Sequence, residues 1–247
     1  MIGCIIQARM CSTRLKGKVL HKINPEETIL SFLIKQITNC KSLKTVVVAT
    51  TELDEDDVIV DFLKSYDVEI FRGNSENVLD RFYHCAKKFK FSTIVRLTAD
   101  NPLIDPQIVN DSIQKYSNSD CDYLTNSIDR TFPNGTEVEI FSFNALETAW
   151  KFAKKKSERE HVTPYFYNNP NKFKIHHFKQ KQDQSKFRYS IDRKEDYLLV
   201  LKILSKINTR PIKTSDIIEL LTNYPEIKKL NSHIIPNEGY VKSISED

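Results

Sequence analysis

A basic loop follows the first apolar run of the sequence and contains no acidic residue. It occupies residues 7–18, and its four cations are Arg9, Arg14, Lys16 and Lys18. Like charges this close together repel one another unless solvent or a bound polyanion offsets them. Guanidinium groups offer forked donors to phosphate oxygens, and a lysine adds a point charge. The loop therefore predicts a site for a phosphate chain, with a solvated basic turn as the structural alternative.

Two aspartates that are far apart in the sequence each follow a short apolar run. Asp100 lies in the stretch VRLTADNPLIDP, and Asp192 lies in the stretch YSIDRKEDY. Mg²⁺ requires hard oxygen ligands and usually takes only one or two of them from the protein. The two carboxylates therefore predict a joint Mg²⁺ site if the strand ends adjoin, and helix or turn capping is the alternative for each. For Asp105, which directly precedes Pro106, capping is the favoured interpretation.

One histidine has a sequence context that suits proton transfer. His161 lies in the segment SEREHVTP, and an imidazole titrates near neutral pH. Ser157 and Glu160 of the same segment also form the pattern of a capping box at a helix start. The segment is compatible with a general base, with a structural histidine or with a contact to a second substrate. We favour the contact to a second substrate.

Four runs rich in β-branched residues alternate with helical patterns in the first half of the chain. The predicted strands cover residues 3–7, 45–50, 68–71 and 93–97. Nearly continuous apolar runs are typical of strands covered on both faces, so we predict a parallel sheet. Such folds bind ligands beyond the carboxyl ends of the strands, which is where the basic loop and Asp100 lie. The loop lacks both GxGxxG and GxxxxGK[ST], so its side chains must hold the phosphates.

Three helices are predicted between these strands. The first begins at Asn24-Pro25, a cap followed by a proline. The second begins near Asp54, and its expected buried residues are Val58, Ile59, Phe62 and Leu63. The third spans about residues 75–90, and its expected buried residues are Val78, Leu79, Phe82, Tyr83 and Ala86.

The alternation of strands and helices breaks after a helix that begins at Pro106. Further strands are predicted at 121–125, 136–141, 173–178 and 187–191, with helices near 143–156, 158–168, 196–207 and 215–223 and then a polar tail. No repeat or linker-like segment divides the chain. We therefore expect one α/β domain over residues 1–247, with a mixed, largely parallel sheet and a small β-rich insertion at about residues 120–180.

The composition is typical of a soluble globular protein. A chain of 247 residues with 40% hydrophobic content is long enough to bury a sizeable core. No stretch approaches the roughly 18 apolar residues of a membrane span, and no signal sequence is evident, so we expect a cytoplasmic protein without a membrane partner. Five scattered cysteines without a CxxC motif predict free thiols. The lysine-rich run at residues 151–156 could indicate nucleic acid, but a solvated helix face is favoured and no nucleic-acid partner is expected.

Seven blocks of the sequence, taken in order, resemble the cytidylyltransferase family, which includes CMP-Kdo and CMP-sialic acid synthetases. They are IIQARMCSTRLKGKVL, VVVATT, FRGNSENVLDRF, VRLTADNPLIDP, FPNGTEVEIF, SEREHVTPYFY and YSIDRKEDY. The similarity is strongest to the spore-coat polysaccharide biosynthesis branch and covers essentially the whole chain. Two positions depart from the pattern of that branch, since Cys11 stands where Ser or Gly is common and Lys16 where Pro is common. Neither departure removes an expected ligand.

The resemblance implies a nucleotide-diphospho-sugar transferase (Rossmann-like) fold and an Mg²⁺-dependent enzyme. Such an enzyme transfers CMP from CTP to a sugar acid, or to a related sugar or polyol phosphate, releases pyrophosphate and serves surface glycan biosynthesis. Asp100 and Asp192 match the two Mg²⁺-binding aspartates. The implied catalytic residues are Arg9, Lys18 and Asp100. The implied nucleotide-binding residues are Ala8, Arg9, Ser12, Arg14, Lys18, Arg72, Gly73, Asn77, Asp80, Thr98 and Asp100.

The resemblance also implies an acceptor site and a partner subunit. The implied acceptor-binding residues are Asn126, Gly135, Glu137, Glu139, Arg159 and His161. Similar family members pair through the region at about residues 120–180, so we expect a homodimer. That region contains more aromatic residues than a small lobe needs for its own core, which are Phe132, Phe141, Phe143, Tyr165, Phe166 and Tyr167.

Two other functions compete with this interpretation. A non-catalytic nucleotide-binding subunit would keep the basic loop but would have no need for carboxylates at Asp100 and Asp192. A nucleic-acid-binding protein would explain the basic balance but not acids placed beside the basic loop. The same chemistry with another nucleoside triphosphate stays open, because backbone amides can select a base without leaving a trace in the side chains.

Overall fold

The computed structural model describes residues 1–235 and 238–247, and a seven-stranded sheet lies at its centre. The strands are β1 (Ile2–Gln7), β2 (Val46–Thr51), β3 (Glu69–Gly73), β4 (Thr93–Thr98), β5 (Tyr123–Thr125), β6 (Glu139–Ser142) and β7 (Ile175–His177). Their order is β3-β2-β1-β4-β6-β5-β7. Only β6 runs antiparallel to its neighbours, β4 and β5. The predicted mixed, largely parallel sheet is confirmed, and the strands within residues 120–180 extend that same sheet.

Helices cover both faces of the sheet. They are α1 (Ile29–Ile37), α2 (Asp57–Leu63), α3 (Val78–Lys88), α4 (Pro106–Ser117), α5 (Phe143–Phe152), α6 (Lys156–His161), α7 (Pro164–Tyr167), α8 (Lys194–Leu204), α9 (Thr214–Asn223), α10 (Pro225–Lys228) and α11 (Glu238–Ser245). A 3-10 turn at Lys18–Leu20 closes the basic loop. Among the helices described, each is too short or too polar to cross a bilayer.

The core is divided between the two faces of the sheet because successive strand residues point in opposite directions. Ile5 belongs to a cluster that includes Phe82 of α3. The next residue, Ile6, belongs to a separate cluster with Leu33 of α1. A third cluster joins α8 and α9 to Ile191, which directly precedes Asp192. Packing of the third cluster therefore places Asp192 relative to the sheet.

The single tryptophan joins α5 to α3. The Trp150 ring stacks on Tyr83 with the ring centroids 4.0 Å apart and the planes 9° from parallel. Trp150 Nε1 also donates a hydrogen bond of 2.8 Å to Asp80 Oδ1. Stacked aromatic pairs of this kind contribute about 0.5–1.5 kcal/mol beyond the area that they bury.

Two details of the predicted helices are wrong. The first helix begins at Ile29 and not at Asn24, because Asn24 Oδ1 instead accepts hydrogen bonds from the backbone N–H groups of Glu26 and Glu27 and so forms a turn. In α2, Ile59 and Leu63 are buried as expected. Val58 is 47% exposed, because the helix begins at Asp57 and turns that position towards solvent.

Two predictions for the second half of the chain also need correction. The segment at residues 187–191 is not a strand, since its single ladder contact is an isolated bridge between Asn134 and Arg188. The end of the chain, expected as a polar tail without a further helix, contains α11, which packs against α6. Both corrections bear on the site described below.

The aromatic residues at about 120–180 do not form a surface patch. Phe132, Phe141, Tyr165 and Phe166 are each at most 5% exposed within this one chain. The aromatic argument for a homodimer therefore fails, and the homodimer itself stays a prediction. The five cysteines are free thiols, as predicted.

Candidate active site

Lys18 lies between the two aspartates at the carboxyl edge of the sheet. Its Nζ is 3.1 Å from Asp100 Oδ2 and 3.0 Å from Asp192 Oδ1, and it donates a hydrogen bond of 2.7 Å to the backbone oxygen of Ile191. The Lys18 side chain is 11% exposed, whereas the two aspartates keep 29% and 27% exposure. The predicted convergence of the basic loop with both carboxylates is present in the structure.

The topology of the sheet explains this convergence. β1 and β4 are parallel neighbours, with Gln7 opposite Thr98, so the loops that follow them begin side by side. Asp192 arrives by a different route, because the backbone N–H of Ile191 donates a hydrogen bond of 2.8 Å to the backbone oxygen of Asp100. Two strand ends and one backbone contact therefore bring together residues from three distant parts of the chain.

Arg14 and Lys18 hold Asp192 in its ionised form. Burial alone raises the pKa of Asp192, but the attraction of Lys18 and then of Arg14 outweighs it and lowers the pKa to about 2. Arg14 Nη2 lies 3.2 Å from Asp192 Oδ1. Burial also opposes the charge of Lys18, but Asp100 and Asp192 together raise the pKa of its ammonium group. At neutral pH the site therefore holds a lysine cation between two carboxylates.

Arg188 and Asp196 support Asp192 from behind. Arg188 Nη2 lies 3.4 Å from Asp192 Oδ2, and Arg188 donates two hydrogen bonds of 3.1 Å to Asp196. Asp196 Oδ2 accepts from the backbone N–H groups of Asp192 and Arg193 at the start of α8. Asp196, and not Asp192, therefore satisfies the helix N-terminus. This arrangement argues against the capping alternative for Asp192 and leaves its carboxylate facing Lys18.

Two clefts meet at these aspartates. The first, of about 350 Å³, is named the basic cleft, and its cationic lining residues are Arg9, Arg14, Lys18, Lys156 and Lys242. The second, of about 400 Å³, is named the polar cleft, and its lining includes Arg96, Asn101, Arg130, Glu137, Glu139 and Arg188. Thr98, Asp100, His161 and Asp192 line both clefts. The two carboxylates therefore lie where the clefts meet, so a molecule bound in one cleft could react there with a molecule bound in the other.

The carboxylates fit a hard divalent cation such as Mg²⁺. Within residues 1–235 and 238–247, no group of three or more His, Cys, Asp or Glu side chains could hold a metal ion. Mg²⁺ does not need such a group, since it is commonly bound by one or two carboxylates together with phosphate oxygens of the substrate. Asp100 Oδ2 and Asp192 Oδ1 already contact one common cation, Lys18 Nζ. Both residues therefore suit a shared metal that a bound phosphate would complete.

Comparison with known proteins shows the family of the chain. A family model described as Cytidylyltransferase matches residues 3–235. The chain belongs to the cytidylyltransferase family. As a cytidylyltransferase it is an enzyme, and the family resemblance of the sequence blocks is confirmed.

Relatives of this cytidylyltransferase agree with the assignment. The spore coat polysaccharide biosynthesis protein SpsF of Bacillus subtilis is 33% identical over 90% of this chain and 94% of its own length. The solved structure of a cytidylyltransferase from Leptospira borgpetersenii is 36% identical, covers 95% of this chain and 98% of that chain, and superposes with a TM-score of 0.89. A CMP:2-keto-3-deoxy-manno-octonic acid synthetase complexed with CTP shares the fold, with a TM-score of 0.64 at 14% identity over 83% of this chain and 98% of its own.

Part of the implied nucleotide site does not converge with Lys18 in this cytidylyltransferase. Arg72 uses its donors internally, bonding to the backbone oxygens of Thr51 and Leu53 and to Asp57. Asn77 Oδ1 accepts a hydrogen bond from the backbone N–H of Asp80 and so caps α3. The carboxylate of Asp80 accepts a hydrogen bond from Trp150 Nε1. Arg72, Gly73 and Asp80 line a third cleft beside α3 and not the basic cleft. The implied base and ribose contacts of this block therefore stay predictions.

The remaining members of the implied nucleotide site lie together along one cleft, and their contacts with a nucleotide stay predictions. Ala8, Arg9, Ser12, Arg14, Lys18, Thr98 and Asp100 all line the basic cleft. Thr98 Oγ1 also donates a hydrogen bond of 2.5 Å to Asp100 Oδ1, which orients that carboxylate.

The implied acceptor residues divide into two groups. Glu137, Glu139 and His161 line the polar cleft. Asn126 does not line it, because its amide bonds to the backbone oxygen of Thr136 and the backbone N–H of Val138. Arg159 is exposed, and its Nε donates to the backbone oxygen of Ala153.

Gly135 shapes the polar cleft through its backbone. Its φ is +112°, a conformation that favours glycine. A Cβ at this position would lie 2.8 Å from the backbone nitrogen of Ser190. Its own N–H donates a hydrogen bond of 2.9 Å to Glu137 Oε2. Gly135 thus supports Glu137 without lining the cleft.

His161 is a half-buried side chain at the junction of the two clefts. Burial lowers its pKa, and the opposing attraction of the acids Glu160 and Glu139 does not reverse that direction, because the nearby arginines Arg96 and Arg9 lower the pKa further. Its Nε2 lies 3.1 Å from Ser243 Oγ, and Tyr240 of α11 packs edge-on against the ring. The structure thus provides a neutral imidazole at pH 7 that is in contact with α11.

Several residues of the site escaped the sequence analysis. Arg96 offered a signal, because a cation inside an otherwise apolar strand needs a partner, and it pairs with Glu139 on the neighbouring strand β6. The signal for Arg188 was weaker: it precedes Asp192 by four residues and Asp196 by eight. Tyr240, Lys242 and Ser243 offered none, because α11 was expected to be an irregular tail.

Proposed function

We propose that this cytidylyltransferase transfers CMP from CTP to a hydroxyl group of a sugar acid, or of a related sugar or polyol phosphate, and that it requires Mg²⁺. The observation that carries the proposal is the position of Asp100 and Asp192, which line both clefts. A triphosphate in one cleft and a hydroxyl-bearing acceptor in the other would meet beside these carboxylates. The names of the spore coat and CMP:2-keto-3-deoxy-manno-octonic acid relatives support an acceptor of this class and a role in surface glycan biosynthesis.

The basic cleft supports the assignment of the triphosphate. Arg9 is 42% exposed in its side chain, so its guanidinium group is accessible to a ligand. Arg14 already contacts Asp192, and Lys18 contacts both aspartates. The cations of this loop are therefore already in position before pyrophosphate forms, and they could stabilise its charge as it leaves.

The polar cleft supports the assignment of the acceptor. Its arginines are held by acids, since Arg96 pairs with Glu139 and Arg130 lies 2.5 Å from Glu137. Asn101 Oδ1 is buried without a hydrogen-bond partner. A buried oxygen without a hydrogen bond destabilises the fold until a hydrogen-bond donor reaches it. A hydroxyl group of the second substrate is a suitable donor. A cleft with fixed hydrogen-bond donors and acceptors suits a polyhydroxylated molecule.

The transfer needs positioning and charge neutralisation more than covalent catalysis. The oxygen of the acceptor hydroxyl attacks the α-phosphorus of CTP and releases its proton to solvent, while the bond from that phosphorus to the bridging oxygen breaks and pyrophosphate leaves. Mg²⁺ bound by Asp100 and Asp192 would neutralise charge on the reacting phosphate. Thr98 orients Asp100, Arg188 orients Asp192, and Lys18 spaces the two carboxylates. Arg9 and Arg14 stabilise the charge on the departing pyrophosphate.

Substitution of the two aspartates tests the proposal. Pyrophosphate release is measured with CTP, Mg²⁺ and a panel of sugar acids and sugar or polyol phosphates. Asp100→Asn and Asp192→Asn should each lower turnover by about a hundredfold or more, and the double variant should be little worse than the worse single, because residues that act as a unit are not additive. Asp105→Asn is the matched control, since Asp105 caps α4, contacts Thr214 N and lines neither cleft.

Three outcomes would contradict parts of this proposal. Near-normal Mg²⁺-dependent turnover in Asp192→Asn would remove Asp192 from the metal site. A preference for another nucleoside triphosphate would replace CTP as the donor. Binding of CTP by the wild type without pyrophosphate release for any acceptor would favour the non-catalytic alternative.

The assembly and domain organisation are part of the same proposal. We infer that residues 1–247 form one cytidylyltransferase domain and that two copies pair through the region at about residues 120–180. The support is the family to which the chain belongs, together with strands of that region that continue the central sheet.

A further inference from the structure

Four of the described residues line both clefts, and His161 is the one among them with a free proton acceptor. Asp100 Oδ1 accepts a hydrogen bond from Thr98, and its Oδ2 accepts one from Lys18. Asp192 also accepts from Lys18, and a pKa lowered to about 2 makes its carboxylate a weak base. Both carboxylates are, in addition, the proposed metal ligands. The proton of an attacking hydroxyl therefore needs another acceptor at this junction.

The two glutamates of the polar cleft are paired with arginines. Glu137 Oε1 lies 2.5 Å from Arg130 Nη1. Glu139 pairs with Arg96 and also accepts a hydrogen bond from the hydroxyl of Tyr123. A carboxylate whose oxygens accept from charged donors is a poor base, because protonation would weaken these bonds.

Helix α11 fixes the orientation of the His161 ring. Its Nε2 lies 3.1 Å from Ser243 Oγ. The hydroxyl of Ser243 donates to Glu160 Oε2 at 2.8 Å or to the backbone oxygen of Gly239 at 3.0 Å, so in either case its oxygen is left to accept from Nε2. The ring hydrogen of the neutral imidazole therefore belongs on Nε2. Nδ1 then holds a free lone pair, and within the described part of the chain no hydrogen bond engages it.

The backbone directly after His161 is held in an unusual conformation. Val162 has a φ of +71°, which a β-branched residue rarely adopts. Its side chain is fully buried and belongs to the core cluster that includes Phe82. Core packing therefore maintains a costly turn next to the histidine, and such turns are concentrated at functional sites.

Several charged and titratable groups surround the His161 ring. Burial is the largest influence on it and lowers its pKa, so the ring is neutral at pH 7 and able to accept a proton. The charged groups that act on it are Glu160 of α6, Arg96 of β4, Glu139 of β6, Arg9 of the basic loop and Asp247 beyond α11. The titratable groups that line the clefts with it include Tyr167, Tyr240, Lys156 and Lys242.

We propose that His161 is the general base of the transfer and that its Nδ1 takes the proton of the attacking hydroxyl, an inference that rests on the proposed function. The O–H bond of the acceptor breaks as its oxygen forms the new bond to the α-phosphorus. The bond from that phosphorus to the bridging oxygen breaks, and its electron pair leaves with pyrophosphate. The imidazolium then releases the proton to solvent. Ser243 is a positioning residue, and Glu160 stabilises the imidazolium through it.

A pH profile of turnover tests the inference. Pyrophosphate release is measured between pH 5.5 and 9 with CTP, Mg²⁺ and the acceptor that the wild type uses best. The kcat of the wild type should reach a plateau above pH 6.5. His161→Gln should lower kcat at pH 7.5 by about a hundredfold or more, the usual loss on removal of a general base. Its kcat should keep rising to pH 9 without a plateau, because hydroxide replaces the base.

Two further variants separate proton transfer from positioning. Free imidazole should restore part of the turnover of His161→Ala, because it supplies the missing base, but none of that of Asp192→Asn. Ser243→Ala should lower kcat by about tenfold and keep the plateau, because the base is present but less well oriented. CTP affinity, measured by calorimetry, should be unchanged in both His161 variants and shows that they fold.

His176→Gln is the matched control. His176 of β7 also has a pKa lowered first by burial, but it lines neither cleft. Its replacement should leave both kcat and the plateau unchanged.

Four results would overturn the inference. A kcat of His161→Gln within threefold of the wild type, with the plateau kept, would show that the proton leaves by another route. A raised KM for the acceptor at unchanged kcat would make His161 a binding residue only. Loss of CTP affinity in both His161 variants would make it a structural residue. If the wild type released no pyrophosphate with any acceptor, the proposed function would fail first, and the role of His161 would fall with it.

Discussion

Lys18 is a structural counterion as well as a proposed ligand of the substrate. Its Nζ contacts Asp100, Asp192 and the backbone oxygen of Ile191, so it occupies the space between two carboxylates that would otherwise repel each other. Each contact joins a different part of the chain to the basic loop. The loop is therefore positioned before any phosphate binds, which is the arrangement that favours stabilisation of developing charge.

The titration of His161 gives a pH dependence of stability. Its folded pKa is lowered by burial, so near and below pH 6.5 the unfolded state binds more protons than the folded state. The stabilising contribution is therefore complete above pH 6.5 and is lost as the pH falls through the folded pKa. Between pH 7.5 and 5.5 the melting temperature of the wild type should fall more than that of His161→Gln.

The exposed His233 supplies the control for that comparison. His233→Gln should retain the pH dependence of the wild type. A His161→Gln variant whose melting temperature falls as steeply as that of the wild type would show that other groups carry the effect.

At the scale of elements, α11 completes the wall of the basic cleft. Ser243 Oγ donates a hydrogen bond of 2.8 Å to Glu160 Oε2, and Ser157 Oγ donates one of 2.6 Å to Asp247 Oδ2. Lys242 and Ser243 line the cleft itself. The helix is thus attached to α6 by polar contacts and contributes a cation beside the proposed triphosphate.

Removal of α11 should therefore weaken both substrate binding and the fold. A chain that ends at Ile235 should bind CTP about threefold to tenfold more weakly and lose about 1–3 kcal/mol of unfolding free energy, at about 1 kcal/mol for each hydrogen bond lost. The KM for CTP and a denaturant titration measure the two effects. Val241→Ser is the control, because Val241 is 63% exposed and the substitution keeps the helix. An unchanged KM in the truncated chain would remove α11 from the site.

The elements that the sequence predicts well are those with a strong apolar period. The strands that became β1, β2 and β4 have nearly continuous buried runs, and their parallel pairing follows from the helices between them. The helix start at Asn24 was wrong because Asn-Pro is compatible with either a cap or a turn, and the side chain of Asn24 bonds within the turn. The segment at residues 187–191 has the composition of a strand but does not join the sheet. Tertiary packing, which the composition does not reveal, decides whether such a segment pairs with another strand.

At the scale of the molecule, the meeting of Asp100 with the basic loop could be predicted because parallel strands end at a common edge. The arrival of Asp192 could be predicted only on the condition that its segment adjoins Asp100, or from the family resemblance, since it depends on a backbone contact between Ile191 and Asp100. The block that contains Arg72 was matched to base and ribose contacts as a whole, and only the structure shows that Arg72 uses its donors within the chain.

The oligomeric state is a prediction for the whole molecule. We expect light scattering at micromolar concentration to give about twice the chain mass of 28.8 kDa. The physical reason is that most soluble oligomers are symmetric dimers, and similar family members pair in this way. A measured mass equal to that of one chain would reject the homodimer.

The stacking of Trp150 on Tyr83 gives the molecule a built-in optical probe. Because the chain contains a single tryptophan, its indole emission comes from one known location, the contact between α3 and α5. Its indole N–H bonds to Asp80, the residue directly before Arg81. Fluorescence from the unlabelled protein therefore originates at a known position on α3, and no dye has to be attached to observe that part of the helix.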